Sequence, residues 1–187
     1  VWKEVVLGLP GIHNAENALA VATMCKELGL SETEIRNGLK GFKGVKRRFE
    51  YQVRTEKLIY IDDYAHHPTE IASLVSSIRL LYPDKKVIGI FQPHLFSRTR
   101  DFEPGFVAEL SKLDEAIIMP IYPAREEPIP GVTSDELVRK IGEKASLKTP
   151  QEVLEFATSV HNGVILTIGA GDIDRIVPEL KKILEKQ

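Results

Sequence analysis

Two carboxylates, a phenol and two imidazoles crowd one short run, Asp62-Asp63-Tyr64-Ala65-His66-His67-Pro68. An apolar segment ends at Ile61 and an amphipathic pattern opens at Pro68, so this run reads as a loop between a strand and a helix N-terminus. The free N–H groups and dipole of such a terminus favour an anion. A helix cap followed by solvated residues would explain part of the run, but not so dense a set of titratable side chains.

A second polar loop follows Phe91, namely Gln92-Pro93-His94-Leu95-Phe96-Ser97-Arg98-Thr99-Arg100-Asp101. Arg98 and Arg100 can each fork onto a carboxylate or phosphate. Either alone would read as a surface arginine paired with Asp101 or Glu103; beside His94, at the same strand end, the binding reading gains weight. A third loop, Pro120 to Thr133, holds Tyr122, Arg125, Glu126 and Glu127 among four prolines. Its length suggests function or mobility, although its residues suggest no specific role. The fourth, Gly169-Ala170-Gly171-Asp172, has the look of a phosphate-binding turn but lacks the third glycine of G-x-G-x-x-G, position 174 being Asp. Close backbone packing explains these glycines equally well.

Asn14 and Asn17 lie one turn apart at the head of the helical stripe Ala18, Val21, Ala22, Cys25 and Leu28. Amides at the end of a buried stripe need partners. A cap would satisfy Asn14 but not the deeper Asn17, and a planar heterocycle such as adenine would suit both. Lys43, Lys46, Arg47 and Arg48 form a basic cluster, either a solvated turn or a phosphate-facing hinge.

The elements that must position these groups follow from the apolar pattern. Val87–Phe91, Ala116–Met119 and Val164–Ile168 are continuous apolar runs, as strands buried on both faces tend to be. Helices are expected to open at Pro68, Pro104, Ser134, the Thr149-Pro150-Gln151-Glu152 capping box and Asp172. This alternation implies an α/β fold, a doubly wound, mostly parallel Rossmann-like sheet with helices on both faces. Before it, Val1–Leu7 reads as a strand, Asn14–Leu28 as a helix, Ser31-Glu32-Thr33-Glu34 as the cap of another, and Arg48–Arg54 with Leu58–Asp62 as a hairpin. Three glycines and two lysines between Gly38 and Val45 mark a domain boundary, giving segments 1–42 and 43–187.

The 187 residues, 43% apolar and 28% charged, can bury a substantial core. A net charge of −2 argues against general nucleic-acid binding, and the single cysteine, Cys25, excludes an internal disulfide framework. No apolar run is long enough for a membrane span, so the expectation is a cytoplasmic protein with neither nucleic-acid nor membrane partners. Starting in mid-pattern without Met, the chain reads as a piece of something longer.

Several motifs together resemble the Mur ligase family. Gly11-Ile12-His13-Asn14-Ala15-Glu16-Asn17-Ala18-Leu19-Ala20 is similar to the family's adenine-contacting segment, and Gly44-Val45-Lys46-Arg47-Arg48-Phe49-Glu50 to the entry into its C-terminal domain. Asp62 to Glu70, Phe91 to His94, Ser97 to Asp101, Tyr122 to Glu126 and Pro128 to Gly131 resemble the member that joins L-alanine to UDP-N-acetylmuramate. The resemblance covers essentially the whole chain. It implies ATP-dependent amide formation in peptidoglycan synthesis, through an acyl phosphate on the muramate carboxylate that the alanine amine attacks. Asn14 and Asn17 would then face adenine, Arg48 the ATP phosphates and Asp63 the nucleotide, at the ribose. Tyr64, His66, Arg98, His94 and Arg100 would hold the amino-acid and muramoyl end. Leu95 stands where the family often has arginine. No G-x-x-x-x-G-K-[ST] loop occurs, so ATP and Mg would be held mainly by N-terminal and central domains upstream. Residues 1–42 would be the tail of the central ATP-binding domain, 43–187 the amino-acid-binding C-terminal domain, and the piece alone inactive. Other readings are the sister ligase that recycles tripeptide onto the same muramate, a metal-dependent phosphohydrolase using Asp62, Asp63, His66, His67 and His94, or a non-catalytic nucleotide-binding module.

Overall fold

A computed structural model describes residues 2–187; Val1 and the His13 side chain lie outside the described residues. The chain divides into two units, Val1–Lys46 and Arg47–Gln187.

The first unit is two helices, α1 (Ile12–Glu27) and α2 (Glu32–Gly41). Ser31 and Glu34 cap α2 reciprocally, as their spacing predicts. The expected strand is absent from residues 2–7, since the described residues of this unit include no strand to pair with it. Instead Arg36 of α2 holds this segment, donating to the carbonyls of Lys3 and Glu4 with its guanidinium 5.6 Å from the Trp2 ring. The α1 stripe is not the buried face its spacing suggests. Only Ala22 is buried, and Val21 and Leu28 are exposed along with Ile12, Leu19 and Met24.

The second unit is a six-stranded sheet of β1 (Glu50–Arg54), β2 (Leu58–Asp63), β3 (Val87–Phe91), β4 (Glu115–Ile118), β5 (Ala145–Leu147) and β6 (Gly163–Ile168). The order is β1-β2-β6-β3-β4-β5, and every pairing is parallel except the β1–β2 hairpin. Helices α3 (Pro68–Leu81), α4 (Phe96–Leu110), α5 (Ser134–Ile141), α6 (Pro150–Ala157) and α7 (Val177–Leu184) complete it. Successive strand residues point to opposite faces, so the core is double. Ile59, Ile61, Phe91, Leu166 and Ile168 pack with Ile71, Leu74, Phe106, Leu110 and Leu137 from α3, α4 and α5. Tyr60, Ile88, Ile90 and Ile165 pack with Val153, Ala157, Leu180 and Leu184 from α6 and α7. The doubly wound architecture is therefore as expected.

Two helix starts differ from the sequence reading. Pro104 does not open a helix but lies inside α4, which begins at Phe96. Thr99, Phe106 and Leu110 of α4 are buried, while Pro104 is exposed, so packing on the inner face carries the helix across a residue that donates no hydrogen bond. α5 opens at Ser134 as expected, with Thr133 as its cap. After Asp172 the chain makes a 3₁₀ turn, Asp172–Arg175, and becomes α-helical only at Val177, because Pro178 belongs in a first turn. The three-residue edge strand β5 has too little apolar pattern to be legible.

Because β6 lies between β2 and β3, the C-terminal ends of all three strands adjoin: Asp63 and Phe91 both pair with Ile168. The loops that follow them meet at one edge of the sheet, the usual ligand position in such folds.

Candidate active site

Asp62 and Asp63, expected in the first loop, are the last residues of β2, and both are buried. Asp62 accepts from Thr167 Oγ1 at 2.7 Å and from Arg47 Nε at 3.2 Å. Asp63 accepts backbone N–H groups with each oxygen, Phe49 at 2.7 Å and Ala65 at 2.8 Å. Burial pushes both carboxyls above the usual aspartate range, against the pull of these donors. Asp63 thus ties the backbone just after Tyr64 to that of Phe49, while Asp62 anchors the Arg47 side chain.

Arg47 and Arg48 diverge. Arg47 is tucked in, bonding Asp62 and the Gly169 carbonyl (2.6 Å), with Asp174 at 3.8 Å, and its carbonyl accepts from Tyr64 N at 2.7 Å. Arg48 is exposed and makes one long ion contact, 3.8 Å to Glu70 Oε1. Both guanidiniums lie over the Tyr64 ring, at 5.1 and 5.5 Å. Of the two arginines, Arg47 is therefore built into the structure and Arg48 is the exposed, loosely paired one.

From Tyr64 a row of rings crosses the sheet edge. Tyr64 meets His66 edge-on at 5.4 Å, His66 faces His94 at 6.4 Å, and His94 stacks on Tyr122 at 5.7 Å and 18°. Arg98 Nη1 lies 3.1 Å from His94 Nδ1, one helical turn away. Arg98 is not on a loop as expected but in the first turn of α4, whose start is set by Leu95 in the left-handed region (φ 72°). Burial, then Arg98 and His66, hold His94 below the ordinary histidine pKa. Arg100 is exposed and paired with Asp101 at 2.8 Å, so its guanidinium is not brought into the row.

Residues without a role in the sequence reading hold this row in place. Glu70 caps α3 from within, Oε2 accepting from His66 N at 2.8 Å and His67 N at 3.1 Å. These are N–H groups that an anion at the helix terminus would otherwise have met; the His67-x-x-Glu70 spacing carried that signal. Glu126 clamps the 120–133 loop to α4, accepting from Ser97 N at 2.9 Å and Ser97 Oγ. Tyr122 N donates to the Pro93 carbonyl, and the Tyr122 carbonyl accepts from Leu95 N, both at 2.9 Å. Gln92 fills the fourth loop, accepting from Ile173 N and donating to Asp172 Oδ1 at 2.8 Å each. A Cβ on Gly171 would come within 2.4 Å of Gln92 Oε1 and 2.8 Å of Tyr122 Cβ, so close packing accounts for that glycine.

In the first unit, Asn14 Nδ2 donates to the Pro10 carbonyl at 2.6 Å, while Asn17 is exposed on α1 rather than at the end of a buried stripe. Among the described residues no three His, Cys, Asp or Glu groups come close enough to share a metal ion. This counts against a phosphohydrolase built on Asp62, Asp63, His66, His67 and His94, whose carboxylates are occupied elsewhere.

Comparison with known proteins places this geometry. A sequence model described as "Mur ligase, glutamate ligase domain" matches residues 47–171. The chain is 46% identical over its whole length to UDP-N-acetylmuramate--L-alanine ligase of Flavobacterium johnsoniae, covering 42% of that protein. It is also 46% identical to the enzyme of the same name from Cytophaga hutchinsonii, covering 40%. The chain thus spans about two-fifths of the length of these curated relatives. The crystal structure of UDP-N-acetylmuramate-alanine ligase from Thermotoga maritima superposes with a TM-score of 0.80 at 27% identity, over 99% of this chain and 40% of that one. With its parallel sheet, its strand-end cluster of Tyr64, His66, His94 and Arg98, and these matches in agreement, the chain belongs to the Mur ligase family.

Proposed function

We propose that this chain is the amino-acid-handling part of an ATP-dependent ligase that joins L-alanine to UDP-N-acetylmuramate in the cytoplasm, for peptidoglycan synthesis. The observation that carries the reading is the Arg98 guanidinium on the ring row at the sheet edge, within a chain 46% identical end to end to ligases of that name. L-alanine differs from a simple amine by its carboxylate, and a guanidinium in a partly closed site is the group suited to recognise it. On this reading residues 1–42 belong with the ATP-binding domain and residues 43–187 form the amino-acid domain.

The donor set fits part of a nucleotide site. Arg48, exposed and weakly held, can take a phosphate, whereas the oxygens of Asp63 already serve two backbone donors. Asn14 and Asn17 would offer amides to adenine, Asn17 from an exposed position. The described residues offer no three-ligand cluster for Mg, which would be held elsewhere in the enzyme. ATP supplies the phosphoryl group that activates the muramate carboxylate. Arg48 then neutralises phosphate charge, Arg98 orients the alanine carboxylate, and Tyr64 and His66 wall the space between them.

The test is ADP release by the ligase carrying this chain, with UDP-N-acetylmuramate as acceptor. Turnover should require L-alanine, and tripeptide should not replace it. Turnover with tripeptide and none with L-alanine would assign the chain to the recycling ligase instead.

A further inference from the structure

An amino acid at neutral pH carries an ammonium as well as a carboxylate, and a site that holds only the carboxylate leaves that cation unpartnered. Among the described residues, Glu70 lies against His66 of the ring row and Glu126 against Ser97 beside it. Glu126 has both oxygens on Ser97. Among the described residues Glu70 is used on one side: Oε2 accepts from His66 N and His67 N and lies 3.3 Å from His66 Nδ1, while Oε1 accepts no hydrogen bond from them and has Arg48 at 3.8 Å. Asp62 and Asp63, on the strand below, are buried and fully engaged.

We infer that Glu70 Oε1 is the ammonium acceptor for the incoming amino acid, at the opposite end of the His66–His94 ring pair from Arg98. This deepens the proposed function and rests on it. The capping bonds fix the carboxylate without using Oε1, so the oxygen is held in place by the helix start. The groups facing Glu70 are Arg48 from the turn before β1, Asp63 at the end of β2, and His66 and His67 from the loop before α3, with His94 beyond His66. Arg48 is the one fixed cation among them, and its hold on Oε1 is long. A phosphate that draws Arg48 away removes the competitor for Oε1, so the nucleotide and the amino acid would be favoured together.

Glu70→Gln tests this, because glutamine keeps a carbonyl oxygen for the two capping N–H groups and removes the charge. In the complete ligase, the variant should raise the KM for L-alanine about 10- to 100-fold. The KM for ATP should stay within about twofold. Hydroxylamine, a nucleophile that is uncharged near neutral pH, should trap the activated muramate as well with the variant as with the wild type. An unchanged KM for L-alanine overturns the inference. So does an equal loss with hydroxylamine, which would make Glu70 merely structural. Absence of both alanine-dependent turnover and hydroxamate in the wild type would instead overturn the underlying ligase reading.

Discussion

The Arg98 guanidinium meets the Nδ1 atom of His94 at 3.1 Å, so the imidazole must be neutral there, with its proton on Nε2. A protonated His94 would turn an acceptor into a donor aimed at a cation. The stacked Tyr122 ring and the left-handed Leu95 hold the two side chains in this relationship from either side.

Arg98→Ala in the complete ligase should cost about 2–4 kcal/mol of transition-state stabilisation, roughly 30- to 1000-fold in kcat/KM for L-alanine. Arg98→Lys should recover only part, because an ammonium lacks the planar fork. The melting temperature should hold, since the acidic neighbours are already paired, Asp101 with Arg100 and Glu103 with Lys140. Steady-state kinetics and a thermal melt on the same variant check both halves, and a lowered melting temperature with normal kinetics would refute the assignment.

The depressed pKa of His94 has a signed consequence. Below its ordinary value of 6.5 the unfolded chain takes up a proton that the native state resists. Stability therefore falls as pH drops below that value and stops falling once the native pKa is passed. His94→Gln should flatten this slope on the acid side of pH 6.5, the ordinary histidine value. Urea unfolding of both proteins at several pH values measures it, and parallel curves would show that His94 does not titrate as described.

The Glu126–Ser97 clamp should act on binding through His94 rather than by contact. Glu126→Gln and Ser97→Ala should each raise the KM for L-alanine by about 3- to 10-fold with the KM for ATP unchanged, less than the direct loss of a hydrogen bond to a charged group, because the clamp acts at one remove from the ligand. Ser97→Thr keeps the hydroxyl and should restore most of the affinity. If threonine fails to rescue, or both KM values move together, the loop has no positioning role.

Most of the fold was legible because its strands are buried on both faces and its helices announce themselves with caps: Glu34, Glu70 and Glu152 all close capping boxes. The α4 start was hidden, since Leu95 at φ 72° gives no cap side chain and the polar run Ser97–Asp101 masks the first helical turn. Tyr64, His66, His94 and Arg98 stood out in the sequence as polar residues at strand ends, while the roles expected of them came with the family resemblance. Which of Arg47 and Arg48 is tucked in could not be read there, because that depends on Asp62 and Gly169, far along the chain. Nor could the work of Glu70 and Glu126, whose residue types are ordinary surface choices until the loops are folded together.

The contact between Trp2 and Arg36 also divides the chain optically. Trp2 is the sole tryptophan and belongs to the first unit, whereas all five tyrosines, Tyr51, Tyr60, Tyr64, Tyr82 and Tyr122, belong to the second. Indole emission therefore reports on the helical pair alone, and phenol absorbance on the sheet and its ring row. Each unit carries its own native chromophore, so the melting of one can be followed without labelling the other.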